Sequence, residues 1–98
     1  MAHTDAPLIF ISAGEPSGDL HGAGLARALR ARLPDVRLIG LGGARMAGEG
    51  VELLASVEDL AVMGFAEVAS RLPFFLRLRK RVFETVVREG VDLVIPID

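Results

Sequence analysis

The sequence contains no cysteine among its 98 residues. That excludes a disulfide, a thiolate nucleophile and a cysteine-ligated metal site, and is compatible with a reducing compartment. It has no surplus of basic residues either: 11 Lys and Arg stand against 13 Asp and Glu, for a formal charge of -2. Neutralising a phosphate backbone takes an excess of cations, so no nucleic-acid partner is expected. No apolar run approaches the ~20 residues that span a bilayer. Met1 to Pro7 lacks the basic start and long apolar stretch of a signal peptide. The expectation is a cytosolic protein that can still touch a membrane surface.

What is present suffices for a packed core, since 51% of residues are hydrophobic. Leu8 to Ala13 is a short apolar run ending at Gly14, which predicts a strand buried on both faces. Leu20 to Arg32 has helical spacing, with Leu25 and Leu29 on one face. Val36 to Leu41 predicts a second strand, closed by Gly42 and Gly43. Ala44 to Gly48 suits a short helix, and Val51 to Ala55 a third strand. Leu60 to Met63 is an apolar run of ambiguous type. Pro73 fits the first turn of a longer helix with Leu78, Val82 and Val86 as its stripe and Gly90 at its end. Leu93 to Ile97 predicts the last strand. Alternating strands and helices imply an α/β fold: a Rossmann-like parallel sheet with helices on both faces. A parallel strand ordinarily leads into another loop and helix. The chain, 1–98, is therefore expected to be one partial domain of a longer protein.

Ligands of open parallel sheets bind beyond the carboxyl ends of the strands. Gly14 to Asp19, Leu41 to Arg45, and Asp98 are expected there. Gly14 and Gly18 allow close approach of a ligand to the backbone. Ser17 or Asp19 is expected to cap the helix that follows. Free N–H groups at that helix end favour an anion such as a phosphate. Glu15 and Asp19 would repel one and would instead accept hydrogen bonds from sugar hydroxyls or amides. A plain βα turn with a helix cap accounts for the same residues. The turn is not a P-loop, because no Lys follows Gly18, and Gly40 to Gly43 lacks the third glycine of a dinucleotide fingerprint. His21 beside Glu15 and Asp19 has no second histidine nearby, so no metal or cofactor is expected.

Two further features stand out. Arg71, Arg77, Arg79, Lys80 and Arg81 are interleaved with Leu72, Phe74, Phe75, Leu76 and Leu78. Such a stretch can dock on anionic lipid heads, or form an ordinary amphipathic helix with a solvated basic face. Asp98 ends an apolar strand, where a carboxylate is costly unless paired, exposed in a cleft or functional. It could take a proton from a hydroxyl, or cap a following helix.

Several segments in order resemble one family. Ser12-Ala13-Gly14-Glu15-Pro16-Ser17-Gly18-Asp19 is similar to the amino-terminal signature of lipid-A-disaccharide synthases. Gly40-Leu41-Gly42-Gly43-Ala44-Arg45-Met46 resembles that family's second loop. Glu58-Asp59-Leu60-Ala61-Val62-Met63-Gly64 resembles its next block, and Arg71-Leu72-Pro73 follows at family-like spacing. Ile97-Asp98 resembles the start of its Ile-Asp-x-Pro-Asp-Phe-Asn segment, with Pro96 where the family usually has glycine. The likeness runs from about Leu8 to Asp98.

The resemblance implies the amino-terminal, acceptor-side domain of an inverting, metal-independent glycosyltransferase of GT-B architecture. Its carboxy-terminal UDP-sugar domain would lie outside this chain. The implied substrates are UDP-2,3-diacylglucosamine and 2,3-diacylglucosamine 1-phosphate, joined at the inner face of the inner membrane; a homodimer is allowed for. The implied base is Asp98. The implied substrate-binding residues are Gly14, Glu15, Ser17, Gly18, Asp19, Gly42 and Gly43. Arg71, Phe74, Phe75, Arg77, Lys80 and Arg81 would dock on the membrane. A chain lacking the donor domain is not expected to catalyse transfer alone. The competing reading is a non-catalytic, flavodoxin-like module for a nucleotide or phosphorylated ligand, and a third is a bare structural fragment.

Overall fold

A computed structural model describes residues 6–56 and 70–97. Strand β1 (Leu8–Ala13) is apolar at nearly every position because both of its faces are covered. Ile9, Ile11 and Ala13 alternate with Leu8 and Phe10, so the two sets point to opposite sides of the sheet. The first set packs with Leu38, Ala23, Ala26 and Met46. The second packs with Ile39 and, at its margin, Val82 and Val86. Burying Phe10, which is 1% exposed, contributes about 1.5–3 kcal/mol.

Four parallel strands run in the order β3-β2-β1-β4, with β2 at Arg37–Gly42, β3 at Glu52–Ser56 and β4 at Leu93–Ile97. Helices α1 (Pro16–Arg32) and α2 (Ala44–Gly48) cover one face, and α3 (Leu72–Arg88) covers the other. The doubly covered parallel sheet expected from the alternation of elements is therefore present. Pro96 sits in β4 opposite Ser12; among the described strands β4 is an edge, where a missing N–H is tolerated.

Helix α1 starts at Pro16, four residues before the predicted Leu20. Proline suits the first helical position, since its missing N–H would be unpaired there anyway. The buried face of α1 is Gly18, Asp19, Gly22, Ala23 and Ala26, at helical spacing. Leu25 and Leu29 only flank that core. The small residues let α1 lie close to β1 and α2. A Cβ at Gly22 would stand 2.6 Å from Met46 Sδ, well inside van der Waals contact.

Helix α2 has five residues, too few to hold itself in water. Helix α1 holds both of its ends. Asp19 accepts hydrogen bonds at the amino end. At the carboxyl end Arg30 donates to the carbonyls of Glu49 and Gly50, at 2.9 and 2.8 Å. The anion and the cation each face the end of the α2 dipole they complement. The Leu60 to Met63 run and the Glu58 to Gly64 block lie outside the described residues.

Candidate functional site

The strand order reverses at β1. The chain passes from β1 to β2 and β3 on one side, then returns to place β4 on the other. In open parallel sheets the crevice at such a reversal, beyond the carboxyl ends of the strands, is where ligands bind. Here that point is the Ala13–Ile97 pair. Gly14 follows Ala13. Asp98 follows Ile97 in sequence and lies outside the described residues.

Gly18 brings the first turn of α1 onto this pair. A Cβ there would stand 3.1 Å from Ala13 Cβ and 3.6 Å from Ile97 Cγ2. Any larger side chain would push the helix away from the β1–β4 junction. The Gly14–Ser17 turn is left exposed above the junction, whereas Gly18 and Asp19 are buried.

The structure corrects the expected roles of several residues. Neither Ser17 nor Asp19 is the α1 cap: Glu15 occupies that position, in extended conformation, and no side chain caps the helix. Asp19 is 5% exposed. Its Oδ1 accepts N–H groups from Gly43 at 2.8 Å and Met46 at 3.0 Å. Its Oδ2 accepts the Arg45 N–H at 3.1 Å. The carboxylate is thus committed to the amino end of α2. Helix α2 begins after Gly42-Gly43, with no Ser, Thr, Asp or Asn of its own to cap it. Its N–H groups need an acceptor from elsewhere, and that need is the sequence signal that points to Asp19.

Gly42 and Gly43 are buried too. The Gly43 N–H is taken by Asp19, and its carbonyl accepts the Ala47 N–H at 3.0 Å. A Cβ at Gly42 would collide with Met46 Sδ. Gly42 serves close packing, and Gly43 has its N–H and carbonyl already paired. Of the seven expected binding residues, Gly14, Glu15 and Ser17 face solvent; Gly18, Asp19, Gly42 and Gly43 form the support beneath them. His21 is exposed on α1, so the buried Asp19 does not join it in one ligand group. The Gly14 to Asp19 and Leu41 to Arg45 segments do converge as expected, through the Asp19 carboxylate.

Helix α3 carries three faces. Val82 and Val86 pack on the second core, as expected. Phe74 and Phe75 are half-buried and meet edge to face at 5.4 Å, with Arg71 over the Phe74 ring at 5.3 Å. They are less available to a lipid surface than the sequence suggested. Exposed apolar groups lie instead at Leu72, Leu76, Phe83 and Val87, the last two 60% and 80% exposed. Their spacing places them on one stripe. Lys80 borders that stripe, and Arg77, Arg81 and Arg88 form an exposed basic face beyond it. Among the described residues no helix is long and apolar enough to cross a membrane. A separate hollow of about 680 Å³, lined by Pro7, Arg32, Leu33 and Arg37, opens at the amino ends of β1 and β2, the far end of the sheet from the Gly14–Ser17 turn.

Comparison with known proteins bears on this arrangement directly. Residues 9–98 match the family model described as lipid-A-disaccharide synthetase. The chain is 47% identical over 96 residues to the lipid-A-disaccharide synthase of Pasteurella multocida (strain Pm70), covering 98% of this chain and 24% of that protein. It is 49% identical over 92 residues to the Haemophilus influenzae (strain KW20/Rd) protein of the same name, covering 94% and 24%. It is 50% identical over 98 residues to that of Actinobacillus pleuropneumoniae serotype 7 (strain AP76), covering 100% and 25%. The chain spans about a quarter of the length of these curated relatives. A parallel α/β sheet with the Gly14–Asp19 turn at its order reversal, matched by the family model over nearly the whole chain, belongs to the lipid-A-disaccharide synthetase family.

Proposed function

We propose that residues 1–98 are the acceptor-side, amino-terminal part of a longer inverting glycosyltransferase of GT-B architecture. The reaction joins UDP-2,3-diacylglucosamine to 2,3-diacylglucosamine 1-phosphate, giving the β-1,6-linked disaccharide 1-phosphate and UDP. The observation that carries this reading is the exposed Gly14–Ser17 turn at the β1–β4 reversal, in a chain of this family. A carboxylate and a hydroxyl side by side suit hydroxyl-rich sugars, which offer both donors and acceptors. The donor half of the cleft would come from a second domain.

An inverting transfer needs a base for the acceptor 6-hydroxyl. Asp98 is the candidate, directly after the strand residue paired with Ala13. It takes the hydroxyl proton as the oxygen attacks the anomeric carbon of the donor and the bond from that carbon to the UDP phosphate oxygen breaks. Glu15 and Ser17 hold sugar or phosphate groups from the adjacent wall. The α3 stripe and its basic face dock the enzyme peripherally on the inner face of the inner membrane, where acylated substrates reside. The test is turnover of the two glycolipids by the full-length enzyme, with and without Asp98→Asn. Product formation that falls about 10²–10⁴-fold in the variant supports the reading. No turnover by the unsubstituted enzyme contradicts it, and near-normal kcat in the variant removes Asp98 from the role.

A further inference from the structure

Asp19 couples two loops, the turn after β1 and the loop that opens α2. Its backbone N–H donates to the Glu15 carbonyl at 3.1 Å. Its side chain accepts from Gly43, Arg45 and Met46. One residue therefore ties the exposed turn after β1 to the helix that opens after β2. A buried carboxylate is costly unless its oxygens are satisfied, and here three amides and the positive end of α2 meet that cost. Helix α2 is independently anchored at its other end by Arg30, and at its middle by Met46 against Gly22. It is a fixed reference against which the Glu15–Ser17 turn is set.

We propose that Asp19 is a positioning residue for glycosyl transfer, acting through Glu15 and Ser17 by locking their turn to the amino end of α2. This rests on the proposed function above. It replaces the direct ligand role that the sequence suggested for Asp19. Asp19→Asn has nearly the same shape, but it puts an NH₂ donor where one carboxylate oxygen accepts an amide. The tie is then broken on one side while the space stays filled. A misplacement of about 1 Å in a substrate-holding group can cost on the order of 10²-fold in rate.

The experiment compares full-length Asp19→Asn and Arg30→Met with the unsubstituted enzyme, at a temperature where all three are folded. Both variants are expected to lower Tm. Asp19→Asn alone is expected to raise KM for the acceptor glycolipid and lower kcat/KM about 10- to 100-fold, with KM for the UDP-sugar unchanged. Unaltered kinetics in Asp19→Asn, or an equal rise in acceptor KM in Arg30→Met, would overturn the proposal. A second arm needs no variant. Amide exchange at Gly43, Arg45 and Met46 in the unsubstituted enzyme should slow when acceptor binds; exchange indifferent to acceptor also overturns it. Absent turnover by the unsubstituted enzyme counts against the proposed function instead, and a Tm of Asp19→Asn equal to that of the unsubstituted enzyme would then still refute the tie between the turn and α2.

Discussion

The Arg30 guanidinium fills the space that a side chain at Gly50 would need. Arg30 donates to the Gly50 carbonyl at 2.8 Å, and a Cβ on Gly50 would lie 2.6 Å from Nη2. Gly50 also has φ +89°, a conformation that L side chains rarely adopt. Gly50→Ala therefore meets two penalties, backbone strain and a displaced cap on α2. We expect a loss of roughly 1–3 kcal/mol, read as a lower urea midpoint with an unchanged slope. A midpoint equal to that of the parent protein would mean that Arg30 does not secure this end of α2.

Beside it, Arg27 donates to Glu49 at 2.8 Å. That hydrogen bond, with the charge behind it, holds the Glu49 carboxyl below its usual range. A carboxylate whose pKa is lowered by folding stabilises the protein above its unfolded value, and the contribution disappears as pH falls through the folded one. The difference in Tm between the parent and Glu49→Gln should therefore be present at neutral pH, begin to shrink as pH falls past the ordinary glutamate value of about 4.3, and vanish only below the lowered folded value. It should stay small, because the pair is open to solvent, and shrink further in high salt. A difference that grows on acidification would contradict the assignment.

How far the sequence revealed this depends on the kind of interaction. The strands β1 and β4, the short helix α2 and the proline-led α3 were legible, because apolar runs, glycine stops and proline at a helix start are local signals. The start of α1 was not. Its first turn reads Pro-Ser-Gly-Asp, whose residues favour turns, and the buried face is made of Gly18, Gly22, Ala23 and Ala26 rather than leucines. Small residues form that face because α2 and β1 come so close, a long-range fact absent from spacing. Asp19 was legible as part of the turn after β1 but its hydrogen bonds were not, since its partners lie 24 to 27 positions away. Phe74 and Phe75 are half-buried against each other, and the most exposed apolar groups of α3 are Leu72, Leu76, Phe83 and Val87, a division that the interleaving of arginines and aromatics alone does not reveal.

The stripe on α3 gives a membrane prediction. Reversing Arg77, Lys80 and Arg81 to Glu should abolish sedimentation with vesicles containing anionic phospholipid at low salt. Each basic residue near such a surface is worth about 1 kcal/mol. Leu76→Ser with Phe83→Ser should weaken binding at all salt concentrations, because the loss is apolar rather than electrostatic. Vesicle binding by the charge-reversed protein equal to that of the parent would defeat the docking role of this face.

The most direct test of the central claim concerns Glu15 and Ser17. Both are exposed at the β1–β4 reversal, and the Glu15 side chain makes no cap hydrogen bond, so their removal should leave Tm nearly unchanged. The measurement is steady-state transfer from UDP-2,3-diacylglucosamine to 2,3-diacylglucosamine 1-phosphate by full-length Glu15→Ala and Ser17→Ala. The account predicts that kcat/KM falls about 10- to 100-fold in Glu15→Ala, the loss expected for a hydrogen bond to a charged group, and by less in Ser17→Ala. Folded variants with the kinetics of the parent enzyme would contradict it, and would leave the turn with no part in the transfer site.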